Sequence, residues 1–520
     1  MKKNILLMIT CIIIYGFFIY HANAGVYTYP VKSINLDSSL KPAFYTGYTN
    51  DLISISPIVD PHAVHLLKTK DNGFVVCGKG LEADGSSFTA AFAVKFDSSG
   101  KYVWSWKSTV TNANDVANGA IELSDTDGSI LVVGYRVLSG VGKRSITKLN
   151  PSTGVEIWTG TDFGDAANLH GAFELATVVG SDVYLYGVKK RTSLSEMSFK
   201  SYGNVPDGEA TIVKIPMSKL TTGNAPVIGD LTWEYTTNTY VTVKAVRAIA
   251  NDDIIALLYA ETELATIVGI NKADGTVKFG PVNHGATHGE GTDIQVASDK
   301  SHAVIIGQYL TGSAATKSIQ ASLTSVSVTD GSQKWNKKFG AGGTANTIFN
   351  ECWGGLSFPD KGGFALGCGT GIEGGTCANL PSGTDKTNCE AGKGDLRPGA
   401  MTRGENIWQS LIIRTDNGGT LLWQRVDSYK GDDASEYPPY GVTMAKISSA
   451  TEWLAVDSNN DIIAVTDEQF GIGILKLGSS GTPSSTAAPT TKENPDSSTK
   501  LLSNLALSVV LCISWPMLFF

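Results

Sequence analysis

The chain has 520 residues, 42% hydrophobic and 17% charged, enough apolar material for a large buried core. Its formal net charge of -8 leaves no basic footprint, which excludes nucleic acid as an expected partner. Fifty-seven glycines suit a turn-rich, all-β chain.

Residues 1–24 read as a signal peptide. Lys2 and Lys3 form the positive n-region, residues 5–20 the apolar h-region, and Ala22-Asn23-Ala24 the cleavage site before Gly25. An uncleaved membrane anchor is the other reading. Residues 25–59 carry strand-like pieces near 27–31 and 52–58.

Two phrases then recur. The first is a polar turn, a glycine, three residues and an aromatic. It pairs Gly100 with Trp104, Gly154 with Trp158, Gly229 with Trp233, Gly275 with Phe279, Gly331 with Trp335 and Gly419 with Trp423. The glycine supplies the positive φ of a tight hairpin turn, and the aromatic fills the layer between neighbouring sheets. The second phrase precedes the first. It is a polar turn and a short apolar run, often closed by glycine, as in Phe74-Val75-Val76-Cys77-Gly78 and Ala303-Val304-Ile305-Ile306-Gly307. It occurs seven times, ending at Ile462-Ile463-Ala464-Val465. Such runs are strands buried on both faces. Seven units of several strands each predict a seven-bladed β-propeller over residues 25–478.

The turn-Gly-x-x-x-Trp phrase resembles the blade signature of quinoprotein-like propellers of the pyrroloquinoline-quinone type. The resemblance covers most of residues 60–480, at the level of the repeat. It implies the propeller fold. Members of that family form eight blades, and many carry a vicinal disulfide beside the cofactor. Seven units and no adjacent cysteines argue against quinone chemistry here, and the cofactor is left unknown.

The units run at about 62–106, 118–158, 170–233, 241–279, 292–335, 350–423 and from 453. The sixth carries the largest insert, residues 369–406. The seventh stops before its aromatic strand, so the N-terminal segment is expected to complete that blade. The acidic, aromatic loop 431–440 is a candidate recognition surface.

Cys11 and Cys512 lie in segments expected to be removed. Cys352, Cys368, Cys377 and Cys389 crowd into unit six and are disulfide candidates that would staple the insert. Cys352–Cys368 with Cys377–Cys389 is the most local of three pairings. Cys77, inside an apolar strand, is expected to be a buried thiol.

No nucleophile elbow, zincin, P-loop or dinucleotide fingerprint is present. His284 and His288, with Glu290 and Asp293, are either metal ligands or solvated loop residues. Counting back from each apolar run reaches the start of the preceding strand, which should line the central channel. The polar residues there are His62, Asn118, His170, Asp293 and Glu351, with Thr242 in unit four. They form the candidate channel-mouth site for a sugar or a cation.

Residues 479–499 are Ser, Thr, Pro and Ala with a few charges, which predicts a disordered, O-glycosylated stalk. Residues 500–520 end in an apolar run with no basic tail. Small residues upstream and a polar spacer match a GPI-attachment signal, with Asp496, Ser497 or Ser498 as the attachment residue. A plain hydrophobic anchor is the alternative. Together these features predict a protein of the outer cell surface, bound to the membrane through a lipid, that recognises or adheres to a protein or glycan ligand. The competing class is an extracellular enzyme acting on a glycan or small molecule in the channel.

Overall fold

In the computed structural model, the described residues are 26–28, 32–35, 42–49, 58–82, 88–109, 114–124, 128–194, 207–311, 318–339, 349–360, 362–371, 409–428, 449–468 and 471–477. They form seven antiparallel blades in a propeller ring.

Blade one is Ile58–Lys68, Phe74–Glu82, Thr89–Phe96 and Tyr102–Lys107. Blade two is Val116–Glu122, Ile130–Leu138, Val141–Leu149 and Glu156–Gly160. Blade three is His170–Val179, Asp182–Arg191, Glu209–Pro216 and Trp233–Thr237. Blade four is Thr242–Ala248, Ile254–Ala260, Glu263–Ile270 and Val277–Asn283. Blade five is Glu290–Val296, Ala303–Thr311, Ser318–Val326 and Gln333–Phe339. Blade six is Phe349–Ser357, Phe364–Gly371, Gln409–Thr415 and Leu421–Ser428, with Lys32–Asn35 added at its outer edge. Blade seven has Ser449–Val456, Ile462–Glu468 and Gly471–Leu477. The first strand of each blade contacts the first strand of the next, and that of blade seven returns to blade one. These innermost strands surround the axis.

The ring closes as the unfinished seventh unit predicts. Pro42–Thr49 pairs antiparallel with Gly471–Leu477, from Pro42 opposite Leu477 to Thr49 opposite Gly471. Val26–Thr28 pairs in turn with Pro42–Thr49. The closing strand itself was not foreseen, because its Pro and Gly disguise it. The strand expected at 52–58 falls outside the described residues except for Ile58, which opens blade one.

The repeated aromatic is a clasp between blades. Trp104 of blade one donates its indole N–H to Pro151 O in the blade-two turn at 2.8 Å. Gly154 in that turn has φ +69, and a Cβ there would stand 2.6 Å from the Trp104 ring. One glycine therefore meets two demands, a left-handed backbone and room for the neighbour's indole. Trp233 lies the same way on Gly275, Phe279 on Gly331 and Trp335 on Gly419. Gly229 departs from the phrase. It lies in a short 3₁₀ turn, Ile228–Asp230, and a Cβ there would meet no atom within 4 Å. A longer connection replaces the turn in blade three, and Trp158 donates instead to Thr222 O at 3.0 Å.

Cys352 and Cys368 form a disulfide, S–S 2.05 Å. They face each other across the first two strands of blade six, so the bridge lies inside the blade and precedes the insert. Cys377, Cys389, the loop 431–440, the attachment candidates Asp496, Ser497 and Ser498, and both terminal segments lie outside the described residues. Cys77 is a buried free thiol, as its apolar strand predicts, and burial pushes its pKa up. Among the described residues no helix is long and apolar enough to cross a membrane.

Candidate functional site

Each innermost strand carries a β-bulge at one equivalent position. Register against the second strand skips one residue in every blade: Val64, Asn118, Glu174, Lys244, Thr292, Trp353 and Glu452. A bulge re-aims a side chain and bends its strand. This one also explains a sequence signal. Ahead of the bulge the inner strand presses a carbonyl against the closing glycine of the second phrase. A Cβ at Gly78 would stand 1.9 Å from His62 O, at Gly134 2.0 Å from Val116 O, and at Gly307 1.9 Å from Glu290 O.

The seven bulge residues are all buried, yet five are polar or charged. Two of them tie neighbouring blades in the same way. Asn118 Nδ2 donates to Phe173 O of the next blade at 2.8 Å, and Thr292 Oγ1 donates to Cys352 O of the next blade at 2.7 Å. Glu174 of blade three accepts from Thr242 Oγ1 of blade four at 3.2 Å. Its other oxygen has no hydrogen-bond partner among the described residues. Burial pushes the Glu174 carboxyl up, and the charge that most opposes this is Lys244 of blade four. Glu290 of blade five behaves alike: burial raises it, and Lys244 again opposes. Gln308 Nε2 donates to Glu290 Oε2 at 3.0 Å, while Gln308 Oε1 has no partner among the described residues. The Lys244 ammonium sits 5.4 Å from the centroid of the Tyr259 ring.

The residues expected at the channel mouth all lie on innermost strands, at four different register positions. His62 and Glu351 come two residues before the bulge residue, as does Thr242, and Asn118 is the bulge residue itself. His170 comes four before, and Asp293 one after. His170, half-buried, accepts from Gly142 N at 2.9 Å through Nδ1; burial, Lys143 and Arg191 lower its pKa. Asp293 joins three blades. It accepts from Arg247 of blade four at 2.7 Å and from Gly355 N of blade six at 3.1 Å, and it is fully buried. That is a structural bolt.

His284 contacts Gly331 O at 3.0 Å, and His288 contacts the hydroxyl of Thr324 at 2.8 Å. Both are buried, not solvated. Among the described residues no three His, Cys, Asp or Glu side chains are grouped to hold a metal. Sequence reasoning missed Glu174, Lys244 and Glu452, and placed Glu290 only beside His284 and His288 as a metal ligand or solvated loop residue. The usable signal was a lone charge interrupting an apolar strand, as in Ala172-Phe173-Glu174-Leu175-Ala176.

No family model matches the chain, and no curated protein matches it. Solved structures do. Sqt1 from Chaetomium thermophilum, bound to the N-terminus of ribosomal protein L10, is 8% identical with a TM-score of 0.40, over 81% of this chain and 97% of that one. A chain of a mitotic checkpoint complex is 8% identical with a TM-score of 0.45, over 85% and 94%. A quinohemoprotein alcohol dehydrogenase from Pseudomonas putida HK5 is 10% identical with a TM-score of 0.39, over 81% and 77%. Likeness at this level concerns architecture alone, and by its own sheet order this chain is a seven-bladed β-propeller.

Proposed function

We propose that the protein is a recognition or adhesion receptor of the outer cell surface, tethered by a C-terminal lipid, that binds a protein or glycan ligand. The observation that carries the reading is the axial wall. One backbone device, the bulge, is repeated in all seven blades, while the side chain it presents changes from blade to blade. A uniform frame holding a non-uniform set of polar groups suits selective binding. The leader-like N-terminus and the Ser/Thr/Pro-rich stretch before an apolar tail support the surface location.

The test has two arms. Phosphatidylinositol-specific phospholipase C should release the protein from intact cells, and a surface-derived peptide containing Trp515 would overturn the anchor. The released protein should bind glycans or proteins on an array or on cells, and uniform absence of binding would overturn recognition. The enzyme reading is favoured by one observation, the buried carboxyl of Glu174 and the half-buried carboxyl of Glu290 that both feel Lys244. It requires turnover of a glycoside or ester substrate that Glu174→Gln abolishes.

A further inference from the structure

Beside the clasp aromatics the rim repeats a bulge of its own. Among the described residues, register of the outer strand against the third skips the residue just before the aromatic in six blades. The skipped residues are Val103, Ile157, Lys278, Lys334 and Leu422, and Ala43 on the closing strand. There Phe44 stands opposite Lys476, as Trp104 stands opposite Lys95 and Trp158 opposite Lys148. The chemistry of this position is sorted around the ring. Blades six, seven, one and two are consecutive and carry Leu, Ala, Val and Ile, whereas blades four and five carry lysine. Val103 is 44% exposed, Ile157 43% and Leu422 54%, and the adjacent Val155 and Leu421 are exposed as well. The strand added to blade six, Lys32–Asn35, pairs with Arg425–Ser428, beyond Leu421 and Leu422. Both lysines have polar partners: Lys278 pairs with Asp253, and Lys334 donates to Ser301 O at 2.9 Å.

The chain leaves the ring in the middle of the apolar sector. Leu477 ends the third strand of blade seven, where the third strands of the other blades enter their turns, and it stands opposite Pro42, one residue from Ala43. We propose that this rim sector, Leu422, Ala43, Val103 and Ile157 with their exposed neighbours, rests on the outer lipid leaflet that holds the anchor. The proposal rests on the lipid-tether reading and names the side of the ring that the bilayer meets. Nineteen residues separate Leu477 from Asp496, the first attachment candidate, and fully extended they span about 70 Å. Such a tether keeps the sector at a high local concentration over the leaflet, so a contact too weak to hold a free protein is populated. Apolar side chains spaced one blade apart suit a fluid surface, whose headgroup and acyl boundary closes round each of them. A second copy would need a continuous patch of about 800 Å² per partner, which single side chains on successive blades do not supply. The lysines of blades four and five lie on the remaining arc and are exposed.

The experiment uses the full chain as purified from cells, with its own anchor, in phosphatidylcholine vesicles. A fraction of the phosphatidylcholine carries a diazirine on its acyl chain. Light expels dinitrogen and leaves a carbene that inserts into any bond it touches, and mass spectrometry of peptides maps the lipid adducts. Adducts should concentrate on Tyr102–Lys107, Glu156–Gly160 and Leu421–Ser428 and be sparse on Val277–Asn283 and Gln333–Phe339. The triple variant Val103→Asp, Ile157→Asp, Leu422→Asp should lose them, while its melting temperature stays near wild type because all three sites are exposed. Adducts spread evenly round the rim, adducts favouring the lysine blades, or adducts that persist in the triple variant overturn the contact. A rim without adducts also overturns it, and protein–protein cross-links there would identify a second copy as the occupant. Should the variant fail to fold, the wild-type map decides alone. Phospholipase C tests the anchor separately. Absence of release removes the lipid tether, while adducts on the three strands still support the rim contact, since an apolar tail would hold the ring at the same exit. A chain that does not join the vesicles overturns both.

Discussion

The rim and the axis of this propeller are built by opposite rules. At the rim, four aromatics lie on the turn glycine of the following blade, and sequence and structure repeat together. At the axis the backbone repeats and the sequence does not, for the seven bulges carry Val, Asn, Glu, Lys, Thr, Trp and Glu. Repetition of side chains marks positions whose task is the same in each blade, which is packing. Divergence on a fixed backbone marks positions free to be assigned separately.

The largest expected effect tests whether the axis is also structural. Asp293→Ala leaves Arg247 facing a vacated site and removes the acceptor for Gly355 N. Breaking a buried pair in this way costs about 3–5 kcal/mol. Urea unfolding followed by tryptophan fluorescence measures it, and a midpoint equal to wild type would mean that the bolt carries no load.

Next comes the rim. Trp104→Ala removes a 4% exposed indole together with its hydrogen bond to Pro151 O, and should cost about 3–4 kcal/mol. The same unfolding curves would show it, and blades one and two should lose hydrogen-exchange protection first.

A sharper version uses two glycines of the same phrase. Gly154→Ala forces a side chain into φ +69 and onto the Trp104 ring, so it should destabilise by about 1–2 kcal/mol or more. Gly229→Ala has open space and no left-handed backbone, and should stay within about 0.5 kcal/mol of wild type. Equal losses at the two sites would show that the clasp does not discriminate between them.

The smallest effect is electrostatic. The Glu174 carboxyl is raised, chiefly by burial, above the ordinary 4.5 of a glutamate. A carboxyl raised on folding binds its proton more tightly in the folded chain. Its contribution is full below the unfolded pKa and is lost as pH rises through the folded one. Glu174→Gln removes that loss. Melting temperatures of wild type and variant should therefore match near about pH 4 and diverge toward about pH 8, with the variant higher. A gap that does not change with pH would mean that Glu174 does not titrate in this way.

Legibility in the sequence follows the same division. Glycine, aromatic and apolar run are residue types with one physical use each, so Gly154 with Trp158 or Phe74-Val75-Val76-Cys77-Gly78 could be read directly as turn, packing layer and buried strand. The Cys352–Cys368 pairing was open to locality alone, and strand register settles it. A bulge is a property of pairing between two strands. Nothing in one strand's sequence states it, so counting back from the apolar runs reached the correct strands but four different registers. Asp293 looked like a mouth residue because it is polar near a strand start; its partner Arg247, 46 residues earlier, lies on another blade. Gly229 fits the phrase in letters only, since the chain between Pro216 and Trp233 takes a longer path.

The closing sheet has a consequence for synthesis. Pro42–Thr49 emerges from the ribosome early, and its partner Gly471–Leu477 emerges last among the described strands. Six blades can form in order while the growing arc waits with an unsatisfied strand at its beginning. Closure thus requires the chain to be made through its last described strand. A nonsense truncation anywhere before Gly471 leaves Pro42–Thr49 with a bare row of backbone donors and acceptors, a surface on which nascent copies can pair with one another. Only a chain translated through Leu477 withdraws that surface, so an early-made strand reports whether the last described one has been made.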